Sequence, residues 1–516
     1  MLLSQLCDAE SDLFLLNLPL NMATIQDLAV PSRVAFPRIP RRNSRYDRLP
    51  GVIPMTTAVL NTGCREFRNS LRHTNRRGFL HAGMLGTLGL TLSDLFRLKA
   101  EAAPSPVTKS STSSVIILWM RGGPSQHETW DPKPEAPVEY RGYFGAMSTK
   151  VPGIQICDML PQSAAIMDKW SIIRSLNHTD AGHSTGDQLC FTGYPSVGRP
   201  DVNSHPSCGS IVARQLAQRN PQLPPYVMIP KRLPGVDASY LGPACAPFET
   251  QADPANPGPF RIPNLESPTE VSVGRIDDRR SLLQSLDHMR KASDHAAQIG
   301  AVNAFQARAW DILLGDAARQ AFDLDAEPQH IRDRYGFMSA YQAPTPDRCG
   351  VPAWSQRFLL ARRLIEAGVP MVTVDCRWWD THVKGYETMR DGFLPRWDQA
   401  YSALIEDLDQ RGLLETTMVL AWGEFGRTPK VNATGGRDHY PNVFNAALAG
   451  GGIQGGRVVG ESDSKGALPL RNPKSPQDVL ATVYRHLGVD TGISYPDHSG
   501  RPIPVLPFGD AISELF

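Results

Sequence analysis

From Ser114 onward the hydrophobic residues follow two alternating rhythms. Short, mainly apolar runs occur at Val115–Met120, Ser171–Arg174, Tyr226–Ile229, Pro370–Asp375, Met418–Ala421 and Asn445–Leu448. They are bounded by glycine, proline or polar clusters, which predicts buried strands. Between them apolar positions recur at intervals of three and four. That spacing predicts helices over Leu160–Lys169, Gly209–Arg219, Arg279–Ala292, Ala304–Phe322, Trp354–Ala367, Phe393–Gln410 and Ser475–Leu487. The last has Ser475 as N-cap and Gln477 near the capping-box position. Proline-rich Pro230–Pro268 predicts a long irregular insertion. Strands that alternate with helices imply an α/β fold, a mostly parallel central sheet with helices on both faces. One such domain is expected over 104–516.

Residues 1–73 do not read as part of a folded domain. Arg33 to Arg77 holds eleven arginines against Asp47 and Glu66, so a disordered basic extension is expected, with Met55 as an alternative start. Thr74-Asn75-Arg76-Arg77-Gly78-Phe79-Leu80 then precedes a mild apolar stretch ending at Ala100-Glu101-Ala102. A twin arginine, a weak hydrophobic region and an A-x-A end fit a twin-arginine export signal over 74–103. The twin-arginine export machinery is then a partner, and the location is periplasmic or secreted. The apolar part is too short for a stable membrane span.

Composition adds two exclusions. A formal net charge of +1 over 516 residues gives no electrostatic argument for nucleic acid. Six cysteines follow the cleavage site without a C-x-x-C pair. Neither a zinc ribbon nor a redox motif is indicated, and most are expected to be buried free thiols.

The candidate chemistry gathers where strands end. Arg121-Gly122-Gly123 with His127, Glu128 and Asp131 follows the first strand, and Asn177 to Asp187 follows the second. Asp375, Asp380 and His382 follow the strand at Val372; Glu424, Arg427, Arg437, Asp438 and His439 follow the strand at Met418. In open α/β sheets, ligands sit beyond the carboxyl ends of strands, so one crevice can gather all four clusters. Carboxylates with imidazoles suit a divalent metal, zinc first, then manganese, iron or calcium. Gly182-His183-Ser184-Thr185-Gly186 also matches the nucleophile elbow of serine hydrolases, with Asp380 and His439 in the required order. However, Asn177-His178-Thr179-Asp180 separates that serine from its strand. Gly450-x-Gly452-x-x-Gly455 matches a dinucleotide fingerprint by letter only, because Arg457-Val458-Val459-Gly460 after it reads as strand. Cys376-Arg377-Trp378-Trp379 reads as an aromatic wall, for packing or as a sugar-like platform.

TNRRGFLHAG, WMRGGPSQHETWDPKP, HSTGDQLCFTGYP, DTH and WGEFGRTPKVN with GGRDHYP closely resemble a bacterial exported family, domain of unknown function 1501. That family is grouped with the alkaline-phosphatase/sulfatase-like superfamily. The resemblance implies a parallel sheet with a metal site at strand C-termini and a nucleophile at a helix start, where His183-Ser184-Thr185 stands. Asp380 and His382 are similar to the superfamily's Asp/His pair, and Asp438-His439 to its final Asp-His. The sulfatase Cys-x-Pro-Ser-Arg pattern is missing, with His183 in place of the modified cysteine, so a formylglycine sulfatase is not expected. The superfamily's first-strand aspartates are also missing, unless His127, Glu128 or Asp131 substitutes.

The leading expectation is an exported metal-dependent hydrolase of phosphate or sulfate esters, acting on a small-molecule or glycan ester. Asp380, His382, Asp438, His439 and Glu424 would hold the metal. Ser184 or Thr185 would be the nucleophile beside His183, with Arg427 or Arg437 on the oxyanion. The rival is an inactive relative that binds an anionic glycan or a protein partner. Replacing Arg76 and Arg77 by lysine is expected to leave unprocessed protein in the cytoplasm. Fractionation and N-terminal mass check this, and unchanged processing near Ala102 contradicts the signal.

Overall fold

The computed structural model describes residues 113–262, 316–337 and 354–516. The basic extension, the twin-arginine stretch and its cleavage site lie outside the described residues. So do Arg279–Ala292, the part of Ala304–Phe322 before Asp316, and Cys349. Among the described residues no helix is long and apolar enough to cross a membrane.

The runs predicted as strands pair into one eight-stranded sheet. Its early strands are β1 (Ser114–Trp119), β2 (Trp170–Leu176), β3 (Tyr226–Ile229), β4 (Phe248–Glu249), β5 (Met371–Asp375) and β6 (Thr417–Trp422). A small antiparallel ribbon, β7 (Gly426–Arg427) with β8 (His439–Tyr440), comes next in the chain. Strands β9 (Phe444–Ala449) and β10 (Val458–Val459) complete the sheet in the order β10-β2-β9-β6-β1-β5-β3-β4. Every pairing is parallel except those of β9, which runs antiparallel to β2 and β6. The exception has a cause in the connection. The chain leaves β6, makes the ribbon excursion and returns beside β6 without a crossover helix.

From Val115 to Trp119 the central strand β1 is apolar throughout because both of its faces are covered. Val115, Ile117 and Trp119 enter one core and Ile116 and Leu118 the other, as the two-residue period of a strand requires. On the first face lie α1 (His183–Thr192), α2 (Cys208–Leu216) and, late in the chain, α5 (Pro476–Leu487). The second face is covered by α3 (Ser355–Glu366) and α4 (Leu394–Gln410). The predicted helix at Leu160–Lys169 is split into Pro161–Ala165 and a 3-10 turn at Met167–Lys169. At α5 the capping box closes through Asp478, one residue beyond Gln477. Cys157, Cys190, Cys208, Cys245 and Cys376 are buried free thiols.

The tryptophan wall is packing at Trp379, which is fully buried and stacks on Trp354 with ring centroids 5.3 Å apart. Trp397 on α4 is the hub of that cluster, meeting Trp130, Trp354, Phe358, Trp379 and Tyr401. Trp397→Ala is expected to cost about 3–5 kcal/mol, read as a lowered urea midpoint. A midpoint shift within error contradicts this account of the core.

Candidate functional site

The carboxyl ends of the three central strands are level, because Trp119 of β1 pairs with Asp375 of β5 and with Trp422 of β6. The loops that leave these strands therefore meet above one patch of the sheet, beside α1. The segment after β5 is gripped from two sides. At Gly122 (φ +112°) a Cβ would lie 2.4 Å from the Asp380 nitrogen. At Gly436 it would lie 2.3 Å from the carbonyl oxygens of Thr381 and His382. Only glycine permits those approaches.

This grip brings Asp380 among three imidazoles. His382 Nε2 lies 2.9 Å and His439 Nε2 3.1 Å from Asp380 Oδ1, and His183 Nε2 is 3.2 Å from Oδ2. The Nε2 atoms of His382 and His439 are themselves 3.0 Å apart. Ligand atoms of His183, Asp380 and His439 all fall within 4.8 Å of one another. The far side of each ring fixes its tautomer. His183 Nδ1 donates to Glu424 Oε1 at 2.6 Å, His382 Nδ1 to Asp438 Oδ1 at 2.8 Å, and His439 Nδ1 to the Ala181 carbonyl at 2.8 Å. A ring whose Nδ1–H is committed to an acceptor presents, when neutral, the Nε2 lone pair. Three Nε2 atoms thus converge on one carboxylate, as hydrogen-bond donors when the rings are charged and as a set of lone pairs when they are neutral.

The electrostatics agree. Burial disfavours the Asp380 charge, but the Arg427 guanidinium and the three imidazoles hold its carboxyl far below the usual range. Burial also opposes a charged His183, yet hydrogen bonds to Asp380 and Glu424 raise it to about 9. His382 is raised as well, first by its bond to Asp380. Protonated His183 and His382 thus donate to the Asp380 carboxylate.

Sequence-predicted residues divide into three groups. Asp380, His382 and His439 converge, and His183 joins them. Glu424 and Asp438 stand behind two of the rings; Glu424 is fully buried, takes the Gly122 amide on Oε1 at 2.8 Å, and leaves Oε2 without a hydrogen-bond partner. Arg427 binds Asp380 and the carbonyls of Gly122, Gly123 and Arg437. Arg437 lies apart, paired with Glu128 at 2.7 Å.

On the first turn of α1, Ser184 is half-buried and its Oγ accepts from Arg121 Nη2 at 3.4 Å. Thr185 Oγ1 is tied to Asp180 at 2.6 Å. No hydrogen bond joins Ser184 to His439 among the described residues, so the elbow triad is not assembled. The proposed first-strand substitutes are engaged elsewhere: His127 with the Lys465 carbonyl, Glu128 with Arg437, and Asp131 with Lys133 and Ser462.

Sequence reasoning placed Arg121 and Asp187 in the strand-end clusters but gave neither a role; they form a 2.7 Å ion pair. Asp187 stands four residues after His183, on the same helix face, and that spacing was the available signal.

A model of the family described as "Protein of unknown function (DUF1501)" matches residues 112–516. No curated protein sequence matches the chain. Solved structures that are similar include Ps i-CgsB, at 7% identity and TM-score 0.34, over 73% of this chain and 72% of that one. The PsFucS1 sulfatase from Pseudoalteromonas sp. aligns at 12% identity and TM-score 0.31, over 82% and 75%. The phosphonate monoester hydrolase SpPMH from Silicibacter pomeroyi aligns at 12% identity and TM-score 0.27, over 74% of each chain.

Gly436→Ala tests the grip on the Asp380 segment. Forcing a methyl group against two carbonyls is expected to cost about 1–3 kcal/mol in urea unfolding and to displace His382. Wild-type stability with an unmoved His382 ring contradicts it.

Proposed function

The chain belongs to the DUF1501 family, and from its geometry we propose that it is an exported, metal-dependent hydrolase of phosphate or sulfate esters. The observation that carries this reading is the convergence of three imidazole Nε2 atoms on the Asp380 carboxylate while each Nδ1 is tied to an acceptor. His183, His382, His439 and Asp380 would hold the ion. Three nitrogens with one carboxylate suit zinc before manganese, iron or calcium. Glu424 would orient His183 and Asp438 would orient His382, in the manner of carboxylate–histidine pairs behind a metal. The ion, when bound, would polarise the ester and offset the charge that develops on it.

The chain's own residues would do the rest. Arg427 keeps Asp380 ionised and fixed in place. Ser184 is the better placed of the two hydroxyl nucleophiles, since Thr185 is committed to Asp180. Its Oγ would bond to phosphorus or sulfur as the bond to the alcohol oxygen breaks. The serine proton leaves to solvent and the departing alkoxide takes one up. Water would then cleave the seryl ester and release the acid. The substrate is a small-molecule or glycan ester delivered to the compartment reached through the Arg76-Arg77 signal.

Elemental analysis of the full chain, purified without added metal, is expected to find about one zinc per molecule. Asp380→Asn is expected to lose that zinc and the hydrolysis of nitrophenyl phosphate or sulfate together. A wild-type chain that takes up none of zinc, manganese, iron or calcium on titration refutes the proposal.

A further inference from the structure

Besides a bound ion, a protein cation that reaches the ester's free oxygens stabilises hydrolysis of an anionic ester. Three arginines stand near the site, and two of them are spent inside the protein. Arg427 is fully buried; its Nε, Nη1 and Nη2 donate to Gly123 O, Arg437 O, Gly122 O and Asp380. Arg437 retains 3% side-chain exposure, and its donors go to Glu128, Thr428 O, Pro429 O, Tyr140 O and Tyr386. Neither has a free edge for an oxyanion.

Arg121 is built differently. It follows the last residues of β1, at the centre of the sheet edge, and keeps 16% side-chain exposure. Its Nε donates to Asp187 Oδ2 at 2.7 Å and its Nη2 reaches Ser184 Oγ at 3.4 Å. Its Nη1 makes no hydrogen bond to the described residues. Asp187 is itself locked, taking Trp119 Nε1 on Oδ1 at 3.0 Å. The guanidinium plane is therefore fixed on its Nε side, with its Nη side at the first turn of α1. Buried Glu424 adds negative charge nearby, so the guanidinium stays charged against the cost of its own burial.

We propose that Arg121 binds the anionic group of the ester, its two Nη atoms donating to two non-bridging oxygens of a tetrahedral phosphate or sulfate seated over Ser184. The fork geometry of a guanidinium matches two oxygens of such a group, which a lysine ammonium does not. The proposal rests on the hydrolase reading for its chemistry, but it concerns a different residue with a separate readout.

The test is calorimetric titration of the full chain, zinc-loaded and zinc-free, with inorganic phosphate and with inorganic sulfate. Arg121→Lys keeps the charge and removes the fork. Arg121→Met combined with Asp187→Asn removes both members of the buried pair, so that no unpaired carboxylate is left behind. Both variants are expected to take up zinc like the wild type and to bind the anions about 10- to 100-fold more weakly. Unchanged anion affinity in either zinc-binding variant overturns the proposal, as does a zinc-loaded wild type that binds neither anion. Should the double variant fail to fold, Arg121→Lys decides alone. If the wild type takes up no zinc, the hydrolase reading falls. An Arg121-dependent phosphate affinity of the zinc-free chain would still uphold this anion site, and its absence would remove both.

Discussion

An ionised carboxylate held partly out of water is costly unless charged partners surround it. Asp380 carries that cost at the mouth of this sheet, and Arg427 with three imidazoles offsets it. Arg427 does more than neutralise. It is fully buried and bonded to the carbonyls of Gly122, Gly123 and Arg437, so it ties the end of β1 to the stretch leading into β8 while it holds the carboxylate. The charge of one aspartate and the mutual position of three loops are thus one interaction.

The sheet supplies the precision this interaction needs. With β1, β5 and β6 ending in register, the departing loops begin at the same height, and short connections suffice to bring their side chains together. The loop after β6 returns as an antiparallel strand, and the ribbon it forms places His439 opposite Arg427. A parallel crossover there would have carried His439 away with a helix. The single antiparallel strand in a parallel sheet is therefore a condition of the site.

Around the cluster the remaining charges are sorted by what they touch. Glu424 and Asp438 turn rings, Arg437 and Glu128 satisfy each other, and Arg121 leans on Asp187 beside the Ser184 hydroxyl. Residues of the same type do different work because burial and neighbours differ. Arg427 and Arg437 stand in the same loop, yet one meets the carboxylate of the cluster and the other a carboxylate from the β1 loop.

Most of the architecture was legible from sequence for a physical reason. Strand and helix periods, and the need to bury both faces of β1, are local consequences of side-chain pattern, so the sheet, its helices and the strand-end position of the site could be read directly. Asp380, His382 and His439 could be named because ionisable residues gather just beyond the carboxyl ends of predicted strands, where open α/β sheets bind ligands. The sequence by itself could not distribute roles among them. Which carboxylate faces the imidazoles and which stands behind a ring depends on distances between loops far apart in the chain, and only packing sets those. Asp438 neighbours His439 in sequence, yet it serves His382, 56 residues away. The antiparallel course of β9, the retreat of Arg437 to Glu128 and the exposure of Arg121 were likewise decided by tertiary contacts, because a charge declares its function only through what it is buried against.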